Sequence, residues 1–166
     1  MPAGRMRKTN ESPSAVAEIA CACAAVRRAA RAVTQLYDGW LRTHGIEGPQ
    51  FALLAMLDRG ACNQATLGRR FDMDKTTVSR NLKLLKRNGW IELRPGSDPR
   101  ERLVALTPGG RRRLAAARPA WRNAQQQLRS SMTAKEWDAI LAAFHSVTLA
   151  AQNARRVNAQ KASADQ

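Results

Sequence analysis

Asp74-Lys75-Thr76-Thr77-Val78-Ser79-Arg80-Asn81-Leu82-Lys83-Leu84-Leu85-Lys86-Arg87-Asn88-Gly89 carries a helix signal that runs directly into a short basic hairpin. At about 100° per residue, Val78, Leu82 and Leu85 fall on one helical stripe, while Thr76, Ser79, Arg80, Lys83 and Arg87 gather on the opposite side. One face is suited to packing. The other offers guanidinium, ammonium and small hydroxyl groups, which bond phosphate oxygens and base edges in a major groove wide enough to admit a helix. Any surface helix has a polar face, so the segment that follows carries the weight.

Gly89 fits a helix C-terminal cap, with Lys86 and Arg87 in the last turn where the helix dipole favours cations, so the helix is expected to stop there. Trp90 to Arg94 then has the composition of a strand, Pro95-Gly96-Ser97-Asp98-Pro99 supplies turn residues, and Glu101 to Leu106 makes a returning strand. A hairpin of this length is a wing. Arg94, Arg100 and Arg102 lie near its tip, and such flat cations suit a narrow, electronegative minor groove. Upstream, Asn63 is placed to cap a short helix through Arg70, and Asp72 or Asp74 to cap the helix after it, which gives a helix-turn-helix pair.

With these residues the chain resembles the MarR (multiple antibiotic resistance regulator) family of winged helix-turn-helix transcription regulators. The matching segments are Asp74 to Arg80, Leu84 to Ile91, Asp98-Pro99-Arg100-Glu101-Arg102 in the wing, and Leu106-Thr107-Pro108-Gly109-Gly110-Arg111 opening the next helix. The likeness covers residues 14 to 152, with a wing a few residues shorter than in many members. It implies a mainly α fold with a small β-hairpin wing, flanked by N- and C-terminal dimerisation helices. It also implies that Lys75, Thr76, Thr77, Ser79, Arg80 and Lys83 approach bases and phosphates in the major groove. Arg94, Arg100 and Arg102 are expected at the minor groove, with Asp98 bonding a nearby arginine and orienting the wing.

Charge agrees. The 166 residues carry a formal net charge of +15, large for a chain of one domain or one domain with a helical appendage. Between Asn63 and Arg113 there are 13 lysines and arginines against 5 carboxylates, a surplus of 8 centred on the proposed reading unit. An anionic partner is expected, and double-stranded DNA fits better than a membrane surface. The cations are spread over a helix face and a hairpin instead of lining one amphipathic helix opposite bulky apolar groups. No segment offers the ~18 apolar residues of a membrane span or the ordered parts of a secretory signal, so a cytoplasmic location is expected. Three cysteines do not suggest a disulfide framework.

Outside the reading unit the sequence is helical and amphipathic. Residues 1–13 are polar and turn-rich, the composition of a mobile arm, and Ser12-Pro13 has the form of a helix start. Val16, Ile19, Cys23, Val26, Ala30, Val33, Tyr37 and Trp40 then follow at spacings of three and four, giving a first dimerisation helix over 14–44. The winged domain is assigned to 45–107, with a helix from Gln50 to Leu57 bearing Phe51, Leu54 and Leu57. Thr107-Pro108 begins a fifth helix, with Pro119 as a kink site, and Thr133-Ala134-Lys135-Glu136 is a capping box for a sixth. These two occupy 108–152 as C-terminal dimerisation helices, before a flexible tail over 153–166.

Three long amphipathic helices at the ends of one small winged domain point to a homodimer. Val16, Ile19, Trp121, Trp137, Ile140 and Phe144 are the residues expected at its interface, an ordinary intrachain core being the other use for the aromatic ones. In the family the first, fifth and sixth helices of two chains intertwine and hold two heads about one helical turn, roughly 34 to 36 Å, apart, so the operator is approximately palindromic. The resemblance further implies a small aromatic or phenolic effector between the dimer helices and the winged lobe. Tyr37, Trp40, His44 and Phe51 sit around that junction, as an aromatic floor with an imidazole for an anionic aromatic, or simply as core.

Cys21 and Cys23 are two apart and point about 200° apart on a straight helix, so they cannot chelate one ion or close a mutual disulfide without unwinding. Some relatives sense peroxides through a cysteine near the start of the first helix, which leaves thiol-based redox sensing as an alternative function. Cys62 has the place of a small buried filler. No cofactor or metal site is expected. Catalysis is disfavoured, because the sequence has only two histidines, His44 and His145, and shows no Gly-rich phosphate loop, no serine nucleophile elbow and no paired carboxylates at an evident site. Non-specific nucleic-acid binding would keep the charge and drop the sequence preference.

Overall fold

The computed structural model describes residues 21–98 and 100–164. The expected arm over 1–13, the proposed helix start at Ser12-Pro13, and the interface positions Val16 and Ile19 lie outside the described residues. In chain order the elements are helix α1 (Ala22–Leu41), a 3-10 turn (Arg42–His44), α2 (Gly48–Leu57), β1 (Cys62–Asn63), α3 (Gln64–Phe71), α4 (Lys75–Arg87), β2 (Ile91–Pro95), β3 (Arg102–Leu106), α5 (Pro108–Ser130) and α6 (Ala134–Ala164). A mostly helical chain thus carries a small antiparallel sheet, ordered β1-β3-β2.

Local chemistry explains most boundaries. α2 begins two residues before the expected Gln50, because Glu47 and Gln50 exchange bonds in a capping box and Pro49 is accommodated in the first turn. Gly89 adopts a left-handed φ of 69° just past α4, as the cap requires. Thr107 caps α5 by accepting from the Gly110 backbone N–H at 3.0 Å. α5 runs unbroken past Pro119. The Thr133–Glu136 box forms reciprocally, with the Glu136 carboxylate accepting from the Thr133 N–H at 2.8 Å and Thr133 Oγ1 accepting from the Glu136 N–H at 3.2 Å.

Two differences have physical reasons. β1 has only two residues, too short to show a period of two, and exists because Cys62 and Asn63 pair with Val104 and Leu103. α6 continues through Ala164, so most of the segment expected as a flexible tail from 153 is helical. Alanines and long-chain polar residues after Gln152 sustain a helix without any apolar pattern.

The core lies where α2, the helix-turn-helix, the sheet and α5 meet. Leu53, Leu54, Leu67, Val78, Leu85, Val104, Leu106 and Leu114 are buried there to within 2% of complete. The packing stripe foreseen on α4, Val78, Leu82 and Leu85, is its buried face. Each such side chain contributes about 1.5–3 kcal/mol relative to exposure, which fixes the rotation of α4 and hence the direction of its polar face.

Candidate nucleic-acid interface

α3 and α4 are held as a unit by short-range bonds. Asn63 Oδ1 accepts from the Thr66 N–H at 2.9 Å and starts α3, while its Nδ2 donates to Glu101 Oε1 at 2.8 Å and ties the pair to the wing. Asp72 then turns the chain at φ 49°, and the Met73 N–H donates to the Gly68 carbonyl at 2.9 Å. Asp74, one of the two caps foreseen, starts α4: its Oδ1 accepts from the Thr77 N–H at 2.8 Å and its Oδ2 from Thr77 Oγ1 at 2.7 Å. These bonds, the side-chain one first, hold the Asp74 carboxyl below the usual carboxylate range.

With the apolar side buried, Lys75, Thr76, Arg80 and Lys83 of α4 are exposed on one surface, and Ser79 is half-buried at its margin. Thr77 differs from expectation. Its hydroxyl is occupied by the Asp74 cap, so its part is to begin the helix rather than to present a free donor.

The wing pairs in the register Ile91↔Leu106 through Pro95↔Arg102. Its tip closes through the Gly96 N–H to the Glu101 carbonyl at 3.0 Å and the Glu101 N–H to the Asp98 carbonyl at 2.9 Å. Asp98 accepts from the backbone N–H of Arg100 at 2.7 Å. The expected bond from Asp98 to an arginine side chain is therefore replaced by a turn bond, and Asp98 shapes the tip through the main chain. Arg94 is held by Glu92, Nε to Oε1 at 2.7 Å, because residues two apart share a strand face. Arg100 and Arg102 are exposed and form no ion pair among the described residues.

A second feature is an apolar cleft of about 470 Å³ between α1, α2 and α5, lined among others by Val33, Tyr37, Phe51, Ala55, Met73 and Trp121. Phe51 and Trp121 stack with ring centroids 5.7 Å apart. Tyr37 donates its hydroxyl to Gln125 Oε1, and burial pushes its phenol pKa up. Of the four residues expected here, Tyr37 and Phe51 line the cleft. Trp40 and His44 do not: Trp40 Nε1 donates to Gln127 Oε1 at 2.8 Å, and the His44 carbonyl accepts from Arg113. Among the described residues no charged side chain lines the cleft, so none there would pair with an anionic ligand. Met73, in the turn before α4, makes the cleft and the head neighbours; the sequence showed it only as an unassigned turn residue.

The residues expected at a dimer interface separate. Trp121 belongs to the cleft within one chain. Trp137 is only 9% exposed, under the guanidinium of Arg129 at 5.6 Å, because it lies close to the α5–α6 corner. Ile140 is half-buried, whereas Phe144 is 43% exposed and Leu141 51%. Phe144 and Val147 of α6 border a groove of about 420 Å³ with Val26, Ala30 and Val33 of α1. Cys21 precedes α1 and Cys23 lies in its first turn, both exposed and both free thiols. Cys62 is half-buried against the core and its thiol pKa is raised by burial. Among the described residues no cluster of three potential ligands could hold a metal, and no helix is long and apolar enough to cross a membrane.

The family model described as MarR family matches residues 44–101, from the 3-10 turn to the wing tip. The Bacillus subtilis HTH-type transcriptional regulator YwoH is 31% identical over 83 residues, 49% of this chain and 61% of that protein. The M. tuberculosis transcriptional regulator MosR, solved in complex with DNA, is 33% identical with a TM-score of 0.74, the match covering 81% of this chain and 98% of that one. E. coli MarR shares the fold, at 23% identity and a TM-score of 0.62 over 78% of this chain and 98% of its own.

Proposed function

The chain belongs to the MarR family, and from that membership we propose that it is a homodimeric repressor which reads an approximately palindromic operator and is released by a small aromatic ligand. Members of the family are DNA-binding transcription regulators, not enzymes. The observation that carries the reading is the polar face of α4, with Lys75, Thr76, Arg80 and Lys83 exposed beside a wing carrying Arg100 and Arg102. Lys75, Thr76, Ser79, Arg80 and Lys83 contact bases and phosphates in the major groove, and Arg100 or Arg102 enters the minor groove. Arg94, already paired with Glu92, adds less.

Two copies are favoured by the exposed apolar side of α6 and its groove with α1, which the described residues of one chain leave uncovered. A two-fold pair places the heads roughly 34 to 36 Å apart on one side of the duplex. Bound over its own or a neighbouring promoter, in the cytoplasm, such a dimer blocks polymerase. The effector fits the Tyr37–Phe51–Trp121 cleft as an uncharged aromatic or phenol, with hydroxyls of Tyr37 and Thr34 for polar contact. It acts by preferring one spacing of the heads over another, through Met73 at the turn before α4.

Selection of genomic fragments on the purified protein, followed by footprinting, tests the reading. The expected outcome is two related half-sites and a specificity ratio of roughly 10³ or more over random duplex. Equal affinity for every duplex would make the chain a non-specific nucleic-acid binder. A thiol response is the second reading, favoured by the exposure of both Cys21 and Cys23. It is removed if the double Cys21→Ser/Cys23→Ser variant loses its operator in peroxide as the parent does.

A further inference from the structure

The end of α6 lies against the head, where Gln152, Arg155, Arg156 and Asn158 face Arg69 and Asp72 across an open cleft of about 660 Å³. Three guanidinium groups there meet one carboxylate. Arg155 reaches Asp72 at 3.6 Å, but the two side chains are 75% and 52% exposed, so solvent and salt screen the pair and it holds the elements together only weakly. Arg69 donates to Thr66 Oγ1 at 3.0 Å, and neither Arg69 nor Arg156 forms an ion pair among the described residues. The sequence from 150 to 164 holds Arg155, Arg156 and Lys161 with no Asp or Glu.

We propose that this cleft is a phosphate-binding site, separate from the α4 face and the wing, which grips the DNA backbone beside the groove that α4 enters. Guanidinium forks match the oxygens of a phosphate in a way that point-charge ammonium groups do not. Arg69 supplies the connection. It also lines the groove between α3 and α4 together with Lys75, so the cleft and the start of α4 form one cationic surface. A duplex seated on α4 therefore brings its own backbone to Arg69, and Arg155 exchanges the Asp72 carboxylate for a phosphate. Asp72 is a competitor for the guanidiniums, and the last helix becomes part of the DNA-binding surface.

The inference rests on the reading of the chain as a DNA-binding regulator, and a salt titration of the full chain on a random-sequence duplex separates the two. Parent protein should bind with a steep salt dependence. The Arg155→Gln/Arg156→Gln variant should bind more weakly, with a slope of log affinity against log salt reduced by about 1 to 2, since each phosphate contact contributes about 0.9. Asp72→Asn keeps a residue tolerant of the left-handed turn and should bind more tightly than the parent. If Asp72→Asn instead weakens binding as the arginine variant does, the pair is only a brace and the proposal is overturned. An unchanged slope in the arginine variant also overturns it. If inorganic phosphate at constant ionic strength stabilises the parent and not the arginine variant while DNA slopes are equal, the cleft serves a free anion and not the duplex. A parent that binds no duplex at any salt overturns the regulator reading with it.

Discussion

Arg80 and Thr107 show two ways in which single residues matter. Arg80 is exposed on α4 and forms no ion pair among the described residues, so its effect is expected in what the head meets. Arg80→Ala should cost about 1 to 3 kcal/mol of operator binding and relax preference at one position if it contacts a base. Uniform weakening across sequences would assign it to phosphate, and unchanged affinity would remove it from the interface. Thr107 acts inside the fold: its hydroxyl donates to the Gly89 carbonyl at 2.6 Å and accepts from the Gly110 N–H, joining the end of α4 to the start of α5. Thr107→Val keeps the shape and deletes both bonds, and should lower stability by about 1 to 2 kcal/mol in denaturant unfolding. Gly110 is constrained for another reason. A Cβ there would overlap the Trp90 carbonyl, a close approach that no local pattern reveals.

At the scale of elements, α4 starts on the Asp74 carboxylate, which accepts from Thr77 in its first turn, and α6 starts on a box in which the first-turn Glu136 carboxylate accepts from Thr133 before the helix; these hydrogen bonds hold Asp74 and Glu136 below the usual range. Because the folded pKa values are the lower ones, the stabilisation is complete above the unfolded carboxylate range, about pH 4, and is lost as pH falls through the folded values. Thermal unfolding should therefore show a falling Tm on acidification below about pH 4. Asp74→Asn keeps a capping oxygen without a titrating group and should flatten that fall. Phe51 joins α2 to α5 by its stack on Trp121. Phe51→Ala should cost about 3–5 kcal/mol of stability in denaturant unfolding, whereas Trp121→Ala, at a half-buried position, should cost less and abolish aromatic effector binding measured by calorimetry.

For the whole molecule the exposed side of α6 sets the expectation. Phe144→Asp places a charge in the groove shared with α1 and should convert a dimer to monomer in sedimentation, while each head stays folded. Operator affinity should then fall by about 10² or more, the gain that linked heads draw from effective concentration. Loss of affinity without dissociation would mean that this face is not the interface.

The caps, the α4 stripe and the wing were all open to inspection in the sequence because each depends on residues within a few positions of one another. Asn63, Asp74, Thr107 and Thr133 announce their helices by bonding within three residues. Val78, Leu82 and Leu85 announce a face by spacing alone. What concerned partners distant along the chain was open only as far as the family likeness carried it. Trp121 and Trp137 have the same heptad-like placement as Phe144, but the first stacks on Phe51 and the second lies beneath Arg129. Composition cannot separate an aromatic that fills its own chain from one that awaits another. His44 falls outside the cleft for a related reason, since it sits in the 3-10 turn beyond α1 whereas Tyr37 lies within the helix.

Local periodicity and short-range bonding thus determined the helix-turn-helix, the wing hairpin and the cationic face by themselves, because helix and hairpin geometry follow from neighbours in sequence. The fold in three dimensions decided which aromatics line the cleft, which lie on an open face, that Asp98 bonds the backbone, and that the end of α6 meets Arg69 and Asp72. Those contacts join residues as far as 88 positions apart, and their geometry is set by how packed helices cross, a quantity that no single helix encodes.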